Sequence, residues 1–230
     1  ALTCITAFFF MSSCSDSDAP HGEDSVPEIS FAKGADLSWV TEMEDDGIRF
    51  FNPEGEEKDC FLLMKELGMN AIRLRVWVNP ENAYGNYSSQ EDVLVKAGRA
   101  KDAGMDIMID FHYSDFFADP SRQTKPAAWK NLSLQDLMKA VSDHTISVLN
   151  ALQNEGITPR WIQIGNETRN GMLWKEGQLW TSSGDLKDGW ANYAALSNAG
   201  YDAAKAVFPD ASVLGHQNNA WEDLAWWFTK

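Results

Sequence analysis

The sequence predicts an α/β fold of the (β/α)8 TIM-barrel type, truncated after about strand five, and three observations carry that expectation. Strand-like and helix-like stretches alternate along the chain past Ile29. Polar side chains stand at the ends of successive strands, where Asp36, Arg75, His112 and Glu167 fall. The turns before the strands are short, as in Gly68-Met69-Asn70 and Gly104-Met105, whereas the loops after them are long and carry His, Asp, Trp and Asn. A barrel shows this asymmetry because its chemistry sits at the C-terminal ends of its strands.

Residues 1–13 read as part of a signal peptide. Leu2, Ile5 and Phe8-Phe9-Phe10 form an apolar run too short to span a membrane. Met11-Ser12-Ser13-Cys14 looks like a bacterial lipobox, which implies cleavage before Cys14 and lipid on its sulfur. Residues 14–29, with Pro20 and Pro27, read as a linker, so 30–230 is the folded domain. The expected location is the periplasm or cell surface of a Gram-negative bacterium.

Within the domain, strands are expected at 31–37, 71–78, 106–112, 160–165 and 212–216. Helices are expected at 58–67, 91–103, 133–153 and 190–207, and another begins within 221–228. Gly68 and Gly104 suit the C-terminal ends of the first two helices, and Ser133 suits the N-cap of the third. No glycine-rich phosphate turn follows the first strand, which argues against a dinucleotide or nucleoside triphosphate site. Five βα units are visible and eight close a barrel. An open five-stranded sheet would leave a bare edge and an uncovered apolar face, so the chain is expected to be a fragment. A genuine five-stranded open sheet is the alternative.

A net charge of −15 disfavours nucleic acid, whose phosphates demand a basic surface. It suits a domain acting on a neutral polymer. Outside the signal and lipobox only Cys60 remains, in an apolar helical pattern, so no intrachain disulfide is expected there. No spaced Cys/His cluster suggests zinc, and no cofactor is expected. A calcium site would belong to a part of the protein beyond Lys230.

Period-two alternation sorts the strands. Ile72, Leu74, Val76 and Val78 face the helices, while Arg73, Arg75 and Trp77 point inward. Met108, Asp110 and His112 share the inward parity on the next strand. Trp161, Gln163, Gly165 and Glu167 share it on the fourth. Inward arginines need carboxylate partners. Arg73 and Asp110 fit either an internal structural network or the site itself. A carboxyl among aromatic and polar groups suits acid/base work on a glycosidic bond. Trp77, Trp129, Trp174 and Trp180 fall on or near the loops of that face, and sugar rings stack on such side chains.

Several motifs resemble glycoside hydrolase family 53. They are Gly34-Ala35-Asp36-Leu37-Ser38, Arg73-Leu74-Arg75-Val76-Trp77-Val78-Asn79-Pro80 and Asp110-Phe111-His112-Tyr113-Ser114-Asp115. Ala118-Asp119-Pro120-Ser121-Arg122-Gln123 and the run from Gly165-Asn166-Glu167 to Trp174 complete the set. The resemblance implies a retaining endo-β-1,4-galactanase on a (β/α)8 barrel. It implies Glu167 as general acid/base and Asn166 on the sugar 2-hydroxyl. Arg75 and His112 would shape the central subsite, with Trp77, Asp115 and Trp174 among the substrate contacts. The family's nucleophile, a second Glu after strand seven, would lie beyond Lys230; Asp115, Glu176 and Glu222 are poor local substitutes. The competing class is a surface glycan-binding lipoprotein that keeps the cleft without the chemistry.

Overall fold

Five parallel strands form one sheet in the computed structural model of the chain, which describes residues 31–80, 85–218 and 225–230. The signal segment, Cys14 and the linker lie outside the described residues, as do Trp221 and Glu222. The strands are β1 (Gly34–Asp36), β2 (Ala71–Val76), β3 (Asp106–Phe111), β4 (Trp161–Ile164) and β5 (Ser212–Leu214). Their spatial order is their chain order. All-parallel pairing between neighbours requires a crossover at each step, and helices supply it. α1 (Val40–Asp45) and α2 (Cys60–Glu66) lie between β1 and β2, and α3 (Gln90–Asp102) between β2 and β3. α4 (Leu134–Asn154) and α5 (Gly189–Val207) follow β3 and β4, and α6 (Ala225–Phe228) follows β5.

Local chemistry explains the helices. α4 buries Leu137, Val141, Thr145, Val148, Leu149 and Leu152, spaced so that they form one stripe. Ser133 caps it by accepting the Asp136 amide at 3.2 Å. Asp59 caps α2 and also receives Arg99, a cap the sequence reading passed over. α1 was not expected either, because it buries only Val40 and so presents no apolar periodicity.

The two faces of the sheet differ. Ile72, Leu74, Val76, Ile107, Ile109, Phe111, Ile162 and Ile164 are buried in one core with Val93, Ala97, Val141, Leu149 and Leu196 of the helices. Each large side chain so buried stabilises the fold by about 1.5–3 kcal/mol. On the other face, register aligns Asp36, Arg73, Met108 and Trp161 across four strands, and Arg75, Asp110 and Gln163 one layer nearer the strand ends. The first of these layers, Asp36, Arg73, Met108 and Trp161, lines a hollow of about 440 Å³ together with Gly34, Ala71 and Leu214 among others.

β2 stops two residues short of its expected end. The Trp77 amide donates to Ser88 O at 2.8 Å and that of Val78 to Ser114 O at 2.9 Å, so the backbone leaves the ladder to hold loops. The long loop after β4 contains two small antiparallel ribbons, Gly171–Met172 with Gly177–Gln178 and Trp180–Thr181 with Gly184–Asp185.

Candidate active site

Arg73 is the hub of the polar face. Its guanidinium meets Asp36 Oδ2 at 2.6 Å, Asp110 Oδ2 at 2.6 Å and Asn166 Oδ1 at 2.8 Å, and donates to Gln163 Oε1 at 3.3 Å. Gln163 closes the circle by donating to Asp110 Oδ1 and, at 2.8 Å, to Gly165 O. Asp110 is fully buried, so its charge depends on this fork of donors. Burial alone would raise the Asp36 pKa, but hydrogen bonds from Ser38 and the Arg73 charge outweigh it and hold the carboxyl below its ordinary range.

The two histidines carry opposite tautomers. His112 Nδ1 accepts the Ala118 amide at 3.1 Å and Trp77 Nε1 at 3.3 Å, so its proton sits on Nε2, 2.9 Å from Asp110 Oδ2. Asn166 Nδ2 donates to Ala118 O at 2.8 Å, which with Arg73 fixes the orientation of that amide. His216 Nδ1 lies 2.8 Å from the Asn166 oxygen, which can only accept, and 3.4 Å from the Glu167 N–H, which can only donate; the shorter contact places the proton on Nδ1. Burial, then the Arg73 charge, lowers the His216 pKa. Three of the four hydrogen-bonding positions of the Asn166 amide are thus committed, leaving one Nδ2 hydrogen.

Glu167 follows directly. Gly165 takes φ +79°, a left-handed value, and a Cβ there would stand 2.5 Å from Thr168 Cγ2. Glu167 itself is left-handed at φ 51°, ψ 48°, a conformation uncommon for a residue with a side chain. This double turn swings the carboxyl off the strand end. Burial raises its pKa, the Asp119 and Asp110 charges add to the rise, and His112 and Arg73 oppose it.

The other expected site residues are placed differently. Arg75 lies 3.7 Å from the Trp39 ring centre and 4.5 Å from that of Trp77, with Nε on Ser88 Oγ at 3.1 Å. Burial pulls its pKa down to about 10. Trp77 is 1% exposed, so its ring packs on Arg75 and supports His112 and offers no open face. Asp115 uses both oxygens as a loop tie, accepting the amides of Asn79 at 3.0 Å and Ala127 at 2.8 Å. Trp174 is half-buried, its Nε1 donating to Asn170 O at 2.9 Å. Trp129, expected near the active face, is buried against His144. Thus Arg73 joins Asp36 and Asn166 directly and His112 through Asp110, next to Glu167, while Arg75 and Trp77 form an aromatic support beside them.

Sequence reasoning did not single out Gln123 or His216. His216 follows a strand as His112 does, so the same strand-end rule could have found it. Gln123 sits in an irregular loop where no periodicity applies. Among the described residues, no group of three or more His, Cys, Asp and Glu side chains could hold a metal ion.

Comparison with known proteins gives one consistent picture. Residues 32–230 match the model of glycosyl hydrolase family 53. An arabinogalactan endo-β-1,4-galactanase of Thermothelomyces thermophilus is 36% identical over 201 residues, covering 86% of this chain and 57% of that protein. An endo-β-1,4-galactanase of Bacillus subtilis (strain 168) is 38% identical over 194 residues, 82% of this chain and 42% of that one. A solved fungal β-1,4-galactanase superposes with a TM-score of 0.77 at 34% identity, covering 86% of this chain and 57% of that chain. The chain spans about half the length of the curated relatives it matches.

Proposed function

The chain belongs to glycosyl hydrolase family 53, and from that premise we propose that it carries the acid/base half of a retaining endo-glycosidase that cleaves β-1,4-galactan. The observation that carries this reading is Glu167, a carboxyl delivered by two left-handed residues to a polar rim that raises its pKa. A general acid must keep its proton until the leaving oxygen takes it, and a raised pKa serves that end. The galactanases of similar sequence support the choice of substrate.

In this mechanism Glu167 protonates the glycosidic oxygen while a second carboxylate attacks the anomeric carbon. Glu167 then removes a proton from the water that releases the glycosyl-enzyme. The two carboxyls of a retaining pair stand about 5–5.5 Å apart. We assign the second to a Glu after the seventh strand of a complete (β/α)8 barrel, of which the five βα units described here are part. Asn166 has one Nδ2 hydrogen left for a sugar hydroxyl, with Asp36 and His112 beside it and Trp174 further along the rim. Trp77 acts by holding His112, Arg75 by packing on Trp77, and Asp115 by tying two loops. Export and lipid attachment at Cys14 belong to the same proposal; mass spectrometry of membrane-extracted protein would show a diacylglyceryl thioether on Cys14.

The decisive test is Glu167→Gln in the complete enzyme. Release of new reducing ends from β-1,4-galactan stops while binding of the polymer persists. Retained turnover would remove Glu167 from this role. Binding without turnover in the unaltered protein would favour a glycan-binding lipoprotein instead.

A further inference from the structure

The loop that carries Asp119 is stapled to the end of β4 by two side chains, Gln123 from the loop and Asn166 from the strand end. Gln123 is 2% exposed, and its Nε2 donates to Asn166 O at 2.8 Å and Asp119 O at 3.1 Å, with Glu167 O at 3.4 Å. Asn166 returns a bond to Ala118 O at 2.8 Å. The loop is itself closed. Asp119 Oδ1 accepts the Ser121 amide at 2.8 Å and Ser121 Oγ at 2.5 Å, and Asp119 and Arg122 exchange backbone hydrogen bonds at 2.9 and 3.0 Å. One carboxylate is fixed in a turn, and that turn shares a donor nitrogen with the backbone of the other.

We propose that Asp119 is a positioning residue for the acid: its ionised carboxylate, locked by the turn and brought to the end of β4 by Gln123, keeps the proton on Glu167. A second negative charge nearby makes ionisation of the first unfavourable, and holding the two carboxyls in different environments separates their tasks. After burial, Asp119 is the largest influence on Glu167, ahead of the opposing His112 and Arg73 and of Asp110. Asp119 itself stays below the usual carboxylate range, because Ser121 and Arg122 outweigh its partial burial. The groups facing Glu167 are therefore Asp119 from the loop, Asp110 and His112 from β3 and its end, Arg73 from β2, and His216 after β5, whose Nδ1 is 3.4 Å from the Glu167 amide.

The inference rests on Glu167 as the acid/base, but its test reads the carboxyl without a reaction. In the whole chain, a ¹³C NMR titration follows the Glu167 side-chain carboxyl. Asp119→Asn keeps the turn acceptor and removes the charge, so the Glu167 midpoint moves to lower pH. Asp119→Glu keeps the midpoint up. Asp119→Ser is the second neutral variant, should the Asn form not fold. An unchanged midpoint in a folded neutral variant overturns the proposal. In the complete enzyme, Asp119→Asn also moves the alkaline limb of kcat/KM to lower pH. A shifted midpoint beside an active Glu167→Gln enzyme would keep the charge pairing and remove the acid/base reading. An unshifted midpoint beside an inactive one would do the reverse.

Discussion

Asn166-Glu167 and Asn154-Glu155 are the same dipeptide in two settings. The second ends α4: Glu155 has ordinary backbone angles, φ −85° and ψ 6°, and both side chains are exposed. The first ends β4, where Asn166 is 3% exposed and Glu167 is left-handed. Each has a left-handed glycine next to it. A Cβ on Gly156 would meet only Lys101 Nζ, the far end of a long side chain, at 3.3 Å, whereas one on Gly165 would collide with Thr168. Identical residues thus acquire different chemistry from where the backbone delivers them. A strand end aims a carboxyl into a polar rim, and a helix end points it at water.

The comparison can be broken at several depths. Glu167→Gln should lower turnover of the complete enzyme by about 10²–10⁴-fold, the range for losing a general acid, while Glu155→Gln leaves kcat unchanged in a reducing-end assay. Gly165→Ala combines left-handed strain of about 1–2 kcal/mol with overpacking of about 1–3 kcal/mol. Urea unfolding of Gly156→Ala should show the strain alone. Asn166→Ala strips an acceptor from Arg73 and His216 and a donor from Ala118 O, for a loss of about 1–3 kcal/mol. Asn154→Ala should stay within about 0.5 kcal/mol, as exposed substitutions do. The smallest effect concerns pH. The folded-state pKa of Glu167 lies above its unfolded value, so the native state loses stability as pH rises through that interval. Glu167→Gln should therefore raise Tm slightly at neutral pH, and the gain should vanish below about pH 4, near the ordinary carboxyl value.

The β2–β4 framework was legible because it obeys a simple period. Alternation placed Arg73, Asp110 and Gln163 on one face and the isoleucines on the other, as register confirms. What periodicity could not rank was partnership. Arg73 and Arg75 share a face, yet Arg73 reaches four polar partners and Arg75 lies among aromatic rings. That difference depends on Trp39 and Ser88, which are distant from β2 in sequence. Gln123 was illegible for the same reason: a staple is defined by both its ends, and only one lies in the loop. Trp129 misled because a tryptophan in a loop can still pack inward.

The reach of Arg73 has a consequence for assembly. Its one cation is fully partnered only when β1 and β3 present the carboxylates of Asp36 and Asp110 and β4 and its end present the amide oxygens of Gln163 and Asn166. A slip of one residue in β2 would turn Arg73 toward the isoleucine-rich core and leave Asp110 buried without its counter-charge. Burying an unpaired charge costs about 3–5 kcal/mol, a large part of the stability of an ordinary domain. The native register is thereby favoured over the slipped one by that margin. The same nitrogen atoms that organise the polar rim also set the register of the strands that build it.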